Sequence, residues 1–183
     1  MNTNPTIHAL FRSDDADRIA QRESLIDTLR GTGSTERGTR VVRQALRRSL
    51  DGDLAALADS EVAELAVALS DPVVRDACLA TAIPTDSPLA AAAFHLWCGL
   101  TRALPAPERA EPAVLAAWTA YVRGDGATVQ IALRTALDAD PEHRLSRLLL
   151  QAIAHGISPE DLHRVASHDV IGLCHALQPG GGR

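Results

Sequence analysis

Five arginines crowd one short stretch: Arg37, Arg40, Arg43, Arg47 and Arg48. On a helix turning 100° per residue they occupy an arc of roughly 140°, opposite Val41, Val42, Ala45, Leu46 and Leu50. A guanidinium is permanently charged and presents a planar fork of donors, which suits carboxylates and phosphates. A basic amphipathic helix of this kind can contact an acidic partner or a nucleic-acid backbone. The competing reading is a solvated face, or one paired with the chain's own acids, because a charged stripe opposite an apolar one is the usual form of a surface helix. Aromatic chemistry offers one further patch. Trp118 and Tyr121 are spaced i, i+3 and share a helical face that could receive a partner. The candidate interaction surface is therefore Arg40, Arg43, Arg47, Arg48, Trp118 and Tyr121.

Other reactive residues form no set. Residues 33–40 (GSTERGTR) have the glycine spacing of a phosphate loop, but such a loop uses a lysine to reach the β- and γ-phosphates. All 18 basic residues here are arginine, so neither that loop nor a Schiff-base lysine exists. The segment reads as a flexible connection. His155, His163, His168 and His175, with Cys174 beside the last, lack the i, i+4 pairing of a helical zinc site. His95 lies amid an apolar stripe and reads as a hydrogen-bonded core histidine. Cys78, Cys98 and Cys174 sit far apart in apolar helical contexts, as buried free thiols do. No Ser/His/Asp set, supported carboxylate pair or nucleotide fingerprint emerges. The expectation is a protein without catalytic residues, cofactor or metal.

The elements that carry these residues are helices. Asp71-Pro72, Ser87-Pro88, Asp140-Pro141 and Ser158-Pro159 repeat one signal. Asp or Ser caps an orphan N–H, and proline at the first helical position has no N–H to leave unpaired. Between these marks the apolar residues keep a helical period, as in Leu89, Ala93, Leu96, Trp97 and Leu100. Helices are expected over 14–30, 37–50, 60–69, 72–82, 88–103, 110–123, 126–138, 142–155 and 159–177. Short linkers make consecutive helices antiparallel. Residues 1–12 and the tail are expected to be mobile. The domain reading is 1–36 as an N-terminal helix and flexible linker, 37–177 as a helical domain and 178–183 as a disordered tail.

Residues 110–156 resemble a tetratricopeptide hairpin. Gly124 and Asp125 match its tight turn, and Leu133, Ala136 and Pro141 match its second helix and linker. Ala117 stands where that pattern prefers Gly, and Ala120 where it prefers Tyr. A longer resemblance, over roughly residues 40–160, is to an uncharacterised domain-of-unknown-function family of GC-rich Gram-positive bacteria. It is carried by Asp59–Leu69, Asp71–Asp76, Leu96-Trp97, Glu111-Pro112-Ala113, and Trp118 through Gly126 to Asp140-Pro141. It implies no activity.

Composition agrees. The chain is 46% hydrophobic with 3% aromatic residues, and Ala and Leu, both good helix formers, dominate. The net charge of −5 is divided: residues 1–50 carry nine Arg against six acids, and residues 51–183 nine against 17. No signal peptide or bilayer-length apolar run is apparent, so a cytoplasmic protein is expected. The reading is an all-α fold of antiparallel helical hairpins, a tetratricopeptide-like bundle or short solenoid. Its expected role is that of a non-enzymatic scaffold for a protein partner or self-association. The alternative is a nucleic-acid-associated regulator using helix 37–48.

Overall fold

The computed structural model describes residues 5–52, 57–159 and 161. Among them every regular element is helical. In chain order these are α1 (Pro5–Phe11), α2 (Ala16–Leu29), α3 (Thr35–Leu50), α4 (Asp59–Leu69), α5 (Pro72–Cys78), a 3-10 turn over Leu79–Ala82, α6 (Pro88–Ala103), α7 (Ala110–Val122), α8 (Gly126–Ala139) and α9 (Arg144–Ala154). The all-α expectation holds.

Local chemistry starts most of these helices. Asp71 Oδ1 accepts the Val73 N–H at 2.9 Å and Ser87 Oγ accepts the Ala90 N–H at 3.1 Å, each followed by proline. Asp140-Pro141 behaves differently. Asp140 accepts the Glu142 N–H at 3.0 Å within a turn, and His143 takes over as the cap of α9. The helix expected from 142 therefore begins at Arg144. The helix expected over 72–82 tightens after Cys78 into the 3-10 turn.

The α7–α8 reversal is a Schellman turn. Gly124 takes φ +74°, its N–H bonds Tyr121 O at 3.0 Å and the Asp125 N–H bonds Ala120 O at 2.9 Å. A side chain at Gly124 would meet the left-handed steric penalty. Asp125 then caps α8 through the Thr128 N–H at 3.1 Å.

Helix α7 is the centre of the molecule. It is apolar on every side, and Ala110 and Pro112 through Ala120 are all buried. A helix without a polar face has to be surrounded. It is: α6 and α8 pack along it, and α4, α9 and the 3-10 turn touch it. Ala110 and Ala113 meet Ala136, so small side chains line the α7–α8 contact. Farther out, α2 and α3 pack on α4, α3 also on α6, and α1 bridges α6 and α8.

Four expectations are corrected by this packing. Residues 1–12 were expected to be mobile, yet Pro5–Phe11 is helical and buries Phe11 in the core. The N-terminal part is not set apart from the body, since Ile26 of α2 also enters that core. The connection expected over 31–38 is shorter, because Ser34 caps α3 through the Arg37 N–H at 3.2 Å. Gly38 is thus a helical residue, and a Cβ there would lie 3.1 Å from Val74 Cγ2. His95 is exposed, not core. It follows Ala93 by two residues, which turns it about 200° from the buried stripe. The expected helix 159–177 falls outside the described residues apart from 159 and 161, and so does the tail 178–183.

Candidate interaction surface

Helix α3 is anchored from beneath. Val42, Ala45 and Leu46 are buried, and the Ser49 hydroxyl donates to Ala92 O of α6 at 2.7 Å. Its arginines then divide into two sets. Arg37 pairs with Glu64 at 3.1 Å and Arg48 with Glu61 at 2.6 Å, both acids on α4. Glu61 also accepts the Ala58 N–H at 2.9 Å. That backbone bond, with Arg48 as a smaller cause, holds its carboxyl below the usual range.

Arg40, Arg43 and Arg47 face elsewhere. At 100° per residue they fall within an arc of about 60°, away from the α4 side. Arg40 meets only Glu36, one turn earlier on the same exposed surface, at 3.4 Å. Among the described residues no carboxylate pairs with Arg43 or Arg47. The α4 acids engage Arg37 and Arg48, and Arg40, Arg43 and Arg47 run for about 10 Å along the axis beyond their reach, Arg40 and Arg47 exposed and Arg43 half-buried.

The aromatic pair does not form a surface patch. Trp118 is buried, and its indole N–H donates to Leu79 O of the 3-10 turn at 2.9 Å. Its ring lies 6.2 Å from that of half-buried Tyr121, whose hydroxyl donates to Ile157 O beyond α9. Trp118 faces inward because α7 is enclosed on all sides, which an i, i+3 spacing cannot reveal.

One constellation went unnoticed in the sequence. His143 Nδ1 lies 2.7 Å from Ser146 Oγ and accepts the Ser146 N–H at 3.3 Å, while Nε2 lies 3.1 Å from Glu111 Oε2. Glu111 also meets Arg75 at 3.4 Å. The residue types are those of a Ser/His/Glu triad, but the geometry is that of a helix cap. The Ser146 side chain has 0% exposure, so a substrate cannot reach its oxygen. Nε2 approaches the carboxylate off the line of a good hydrogen bond, so that contact is chiefly electrostatic. The group joins α5, α7 and the start of α9. His143→Ala is expected to lower unfolding free energy by about 1 kcal/mol through loss of the cap. His143→Asn, which keeps a cap acceptor, should recover most of that in thermal melts. Equal losses in both variants would show that the cap is not what matters.

The remaining candidates resolve plainly. The glycine-spaced segment walls a cleft of about 290 Å³, but Glu64 and Asp71 line it too and oppose a phosphate. Cys78 and Cys98 are buried free thiols, and burial pushes Cys98 up to about 12. His155 Nδ1 meets Gln151 O at 2.7 Å. His163, His168, Cys174 and His175 lie outside the described residues. Among the described residues no three His, Cys, Asp or Glu side chains group to hold a metal, and no helix is long and apolar enough to cross a membrane.

The model of the family described as "Domain of unknown function (DUF4192)" matches residues 6–160. The chain belongs to this family. The match extends the resemblance read over 40–160 back through α2 and most of α1, the helices that pack into the common core. No curated protein and no solved structure matches the chain.

Proposed function

We propose that this chain is a non-enzymatic, cytoplasmic helical scaffold that docks an acidic protein surface on the outward stripe of α3. The observation that carries the reading is the division of the arginines. Arg40, Arg43 and Arg47 are turned away from the acids of α4, with Arg40 meeting only Glu36 of its own helix, on a helix whose opposite face is locked into the core. A fixed row of guanidinium groups suits carboxylates on a partner. Antiparallel packing of α7, α8 and α9 agrees with a tetratricopeptide-like scaffold, in which flat helical faces are offered to partners.

Two facts weigh against nucleic acid as the partner. The whole chain carries a net charge of −5, and no aromatic residue lies on α3 to stack on a base. Titration of the full chain with poly-glutamate and with duplex DNA at low salt separates the readings. Poly-glutamate binding that weakens with salt is expected. Arg43→Ala/Arg47→Ala should weaken it by up to about thirtyfold, since an exposed ion pair contributes about 1 kcal/mol or less. Preferential binding of DNA, or poly-glutamate binding indifferent to both substitutions, would overturn the proposal.

A further inference from the structure

Helices α2 and α6 bring three arginines to one cleft. Arg18 and Arg22 stand at i and i+4 on α2, and His95, Gly99 and Arg102 at i, i+4 and i+7 on α6. Together with Asp14 they line a cleft of about 190 Å³. Its two sides are tied at the end of α6, where the Asp14 N–H donates to Arg102 O at 2.9 Å and Arg22 Nη1 to Ala103 O at 2.8 Å.

The charges in this cleft do not balance. Asp59 Oδ1 accepts from Arg18 Nη2 and from Arg22 Nε, each at 2.8 Å, and Asp14 Oδ2 accepts from Arg22 Nη1 at 3.1 Å. Among the described residues no carboxylate pairs with half-buried Arg102. Arg18, Arg22 and Arg102 thus meet only Asp14 and Asp59, and one positive charge is left over. The charge of Asp14 acts on half-buried Arg109 as well, so it is shared further still. A guanidinium drawn partly out of water without a counter-charge is costly, and an anion in the cleft supplies one.

Gly99 leaves room for that anion. It lies inside α6, where alanine would make the more stable helix. No crowding calls for glycine, since a Cβ there would meet no described atom within 4 Å. The missing side chain instead keeps the α6 wall of the cleft open. The donors come from two separate helices, which suits a tetrahedral oxyanion, whose oxygens point several ways, better than a planar carboxylate. The volume is below the roughly 300 Å³ at which sites for drug-sized ligands begin, so the ligand is small.

We propose that the cleft between α2 and α6 binds a small phosphate-bearing molecule, held by Arg18 and Arg102 with exposed His95 at its rim and Gly99 giving it space.

This site is separate from the α3 stripe, none of whose arginines lines it. Isothermal titration of the full chain with inorganic phosphate and with methyl phosphate, at fixed low ionic strength, tests it. Saturable one-to-one binding of at least one of them is expected. Tighter binding of methyl phosphate supports the site with a phosphomonoester as its occupant, and binding of inorganic phosphate alone supports it with the free ion. Arg102→Gln should weaken binding by about tenfold or more, as loss of hydrogen bonds to a charged group does. Gly99→Leu should weaken it comparably by filling the cleft with every arginine still in place. Should Gly99→Leu fail to fold, Arg102→Gln, at a half-buried position, decides alone. Arg43→Ala/Arg47→Ala should leave the affinity unchanged. The proposal is overturned if neither probe binds saturably, or if a folded Arg102→Gln chain binds as tightly as the native one. Equal weakening by Arg43→Ala/Arg47→Ala also overturns it, because the attraction would then be diffuse and not seated in the cleft.

Discussion

Replacing Arg22 with methionine is expected to lower the unfolding free energy by about 3–5 kcal/mol, the range for breaking a buried ion pair from one side. The Arg22 side chain is 3% exposed. Its Nε donates to Asp59 Oδ1 at 2.8 Å, and its Nη1 donates to Asp14 Oδ2 at 3.1 Å and to Ala103 O at 2.8 Å. One guanidinium thus ties α2 to the start of α4, to the end of α6 and to the α1–α2 connection. Methionine keeps apolar bulk but leaves Asp14 and the Ala103 carbonyl without this donor, and leaves Asp59 with Arg18 alone at 2.8 Å. Arg22→Lys should be intermediate, because a single ammonium cannot reproduce the fork. Denaturant unfolding of the three proteins checks this. A loss below about 1 kcal/mol for methionine would mean that the cluster contributes no more than a surface pair.

The same site shapes the acid limb of stability. Hydrogen bonds from Arg18 and then Arg22 hold the Asp59 carboxyl below its ordinary 3.8. A depressed folded value means that Asp59 stabilises the fold fully above its unfolded value. The contribution is lost as pH falls from 3.8 through the lower folded value. Arg22→Met removes one cause of the depression and leaves Arg18, which narrows the gap between the two values, so stability should fall somewhat less steeply with acid in that window.

The second large effect lies at Trp97. Trp97→Ala is expected to cost about 3–5 kcal/mol, as removal of a large aromatic from a packed core does. The ring is fully buried among the largest core side chains. Among the described residues, however, its indole N–H has no hydrogen-bond acceptor. Burying such a donor costs about 1–3 kcal/mol. Trp97→Phe removes the orphan donor together with part of the ring, so the two effects offset each other. It should cost under about 2 kcal/mol, clearly less than alanine. Equal costs for the two variants would show that the volume of ring removed does not set the effect.

Residues near one another in the chain were readable before any coordinates. Asp71 and Ser87 cap helices through bonds to residues two or three positions on, and their partners are close by in the sequence itself. A helix was also legible over 110–123, without any sign that it is the central one. Where two local signals compete, sequence reading falters. Asp140-Pro141 carried the same pattern as Ser87-Pro88, yet the acid folded into a turn and left the cap to His143, which is drawn to Glu111 on another helix.

For the candidate surface, the arginine stripe was visible in spacing alone. Which of its members remain open was not, because Glu64 and Glu61 belong to a neighbouring helix whose docking angle no local rule supplies. Trp118 was placed on a surface for the same reason: a spacing of i, i+3 fixes a shared face and says nothing of what covers it.

By itself, then, the sequence determined that this chain is helical, where most helices begin, and that α3 is basic on one side. Caps, proline and periodic burial act within a few residues, so they are written in order along the chain. Only the tertiary structure decided that two of five arginines are neutralised by α4, that a buried arginine joins residues 37 and 81 positions away, and that a Ser/His/Glu set is a cap. Those outcomes depend on desolvation and on distances of a few ångströms between helices far apart in sequence, and they exist only once the core has set the helices against one another.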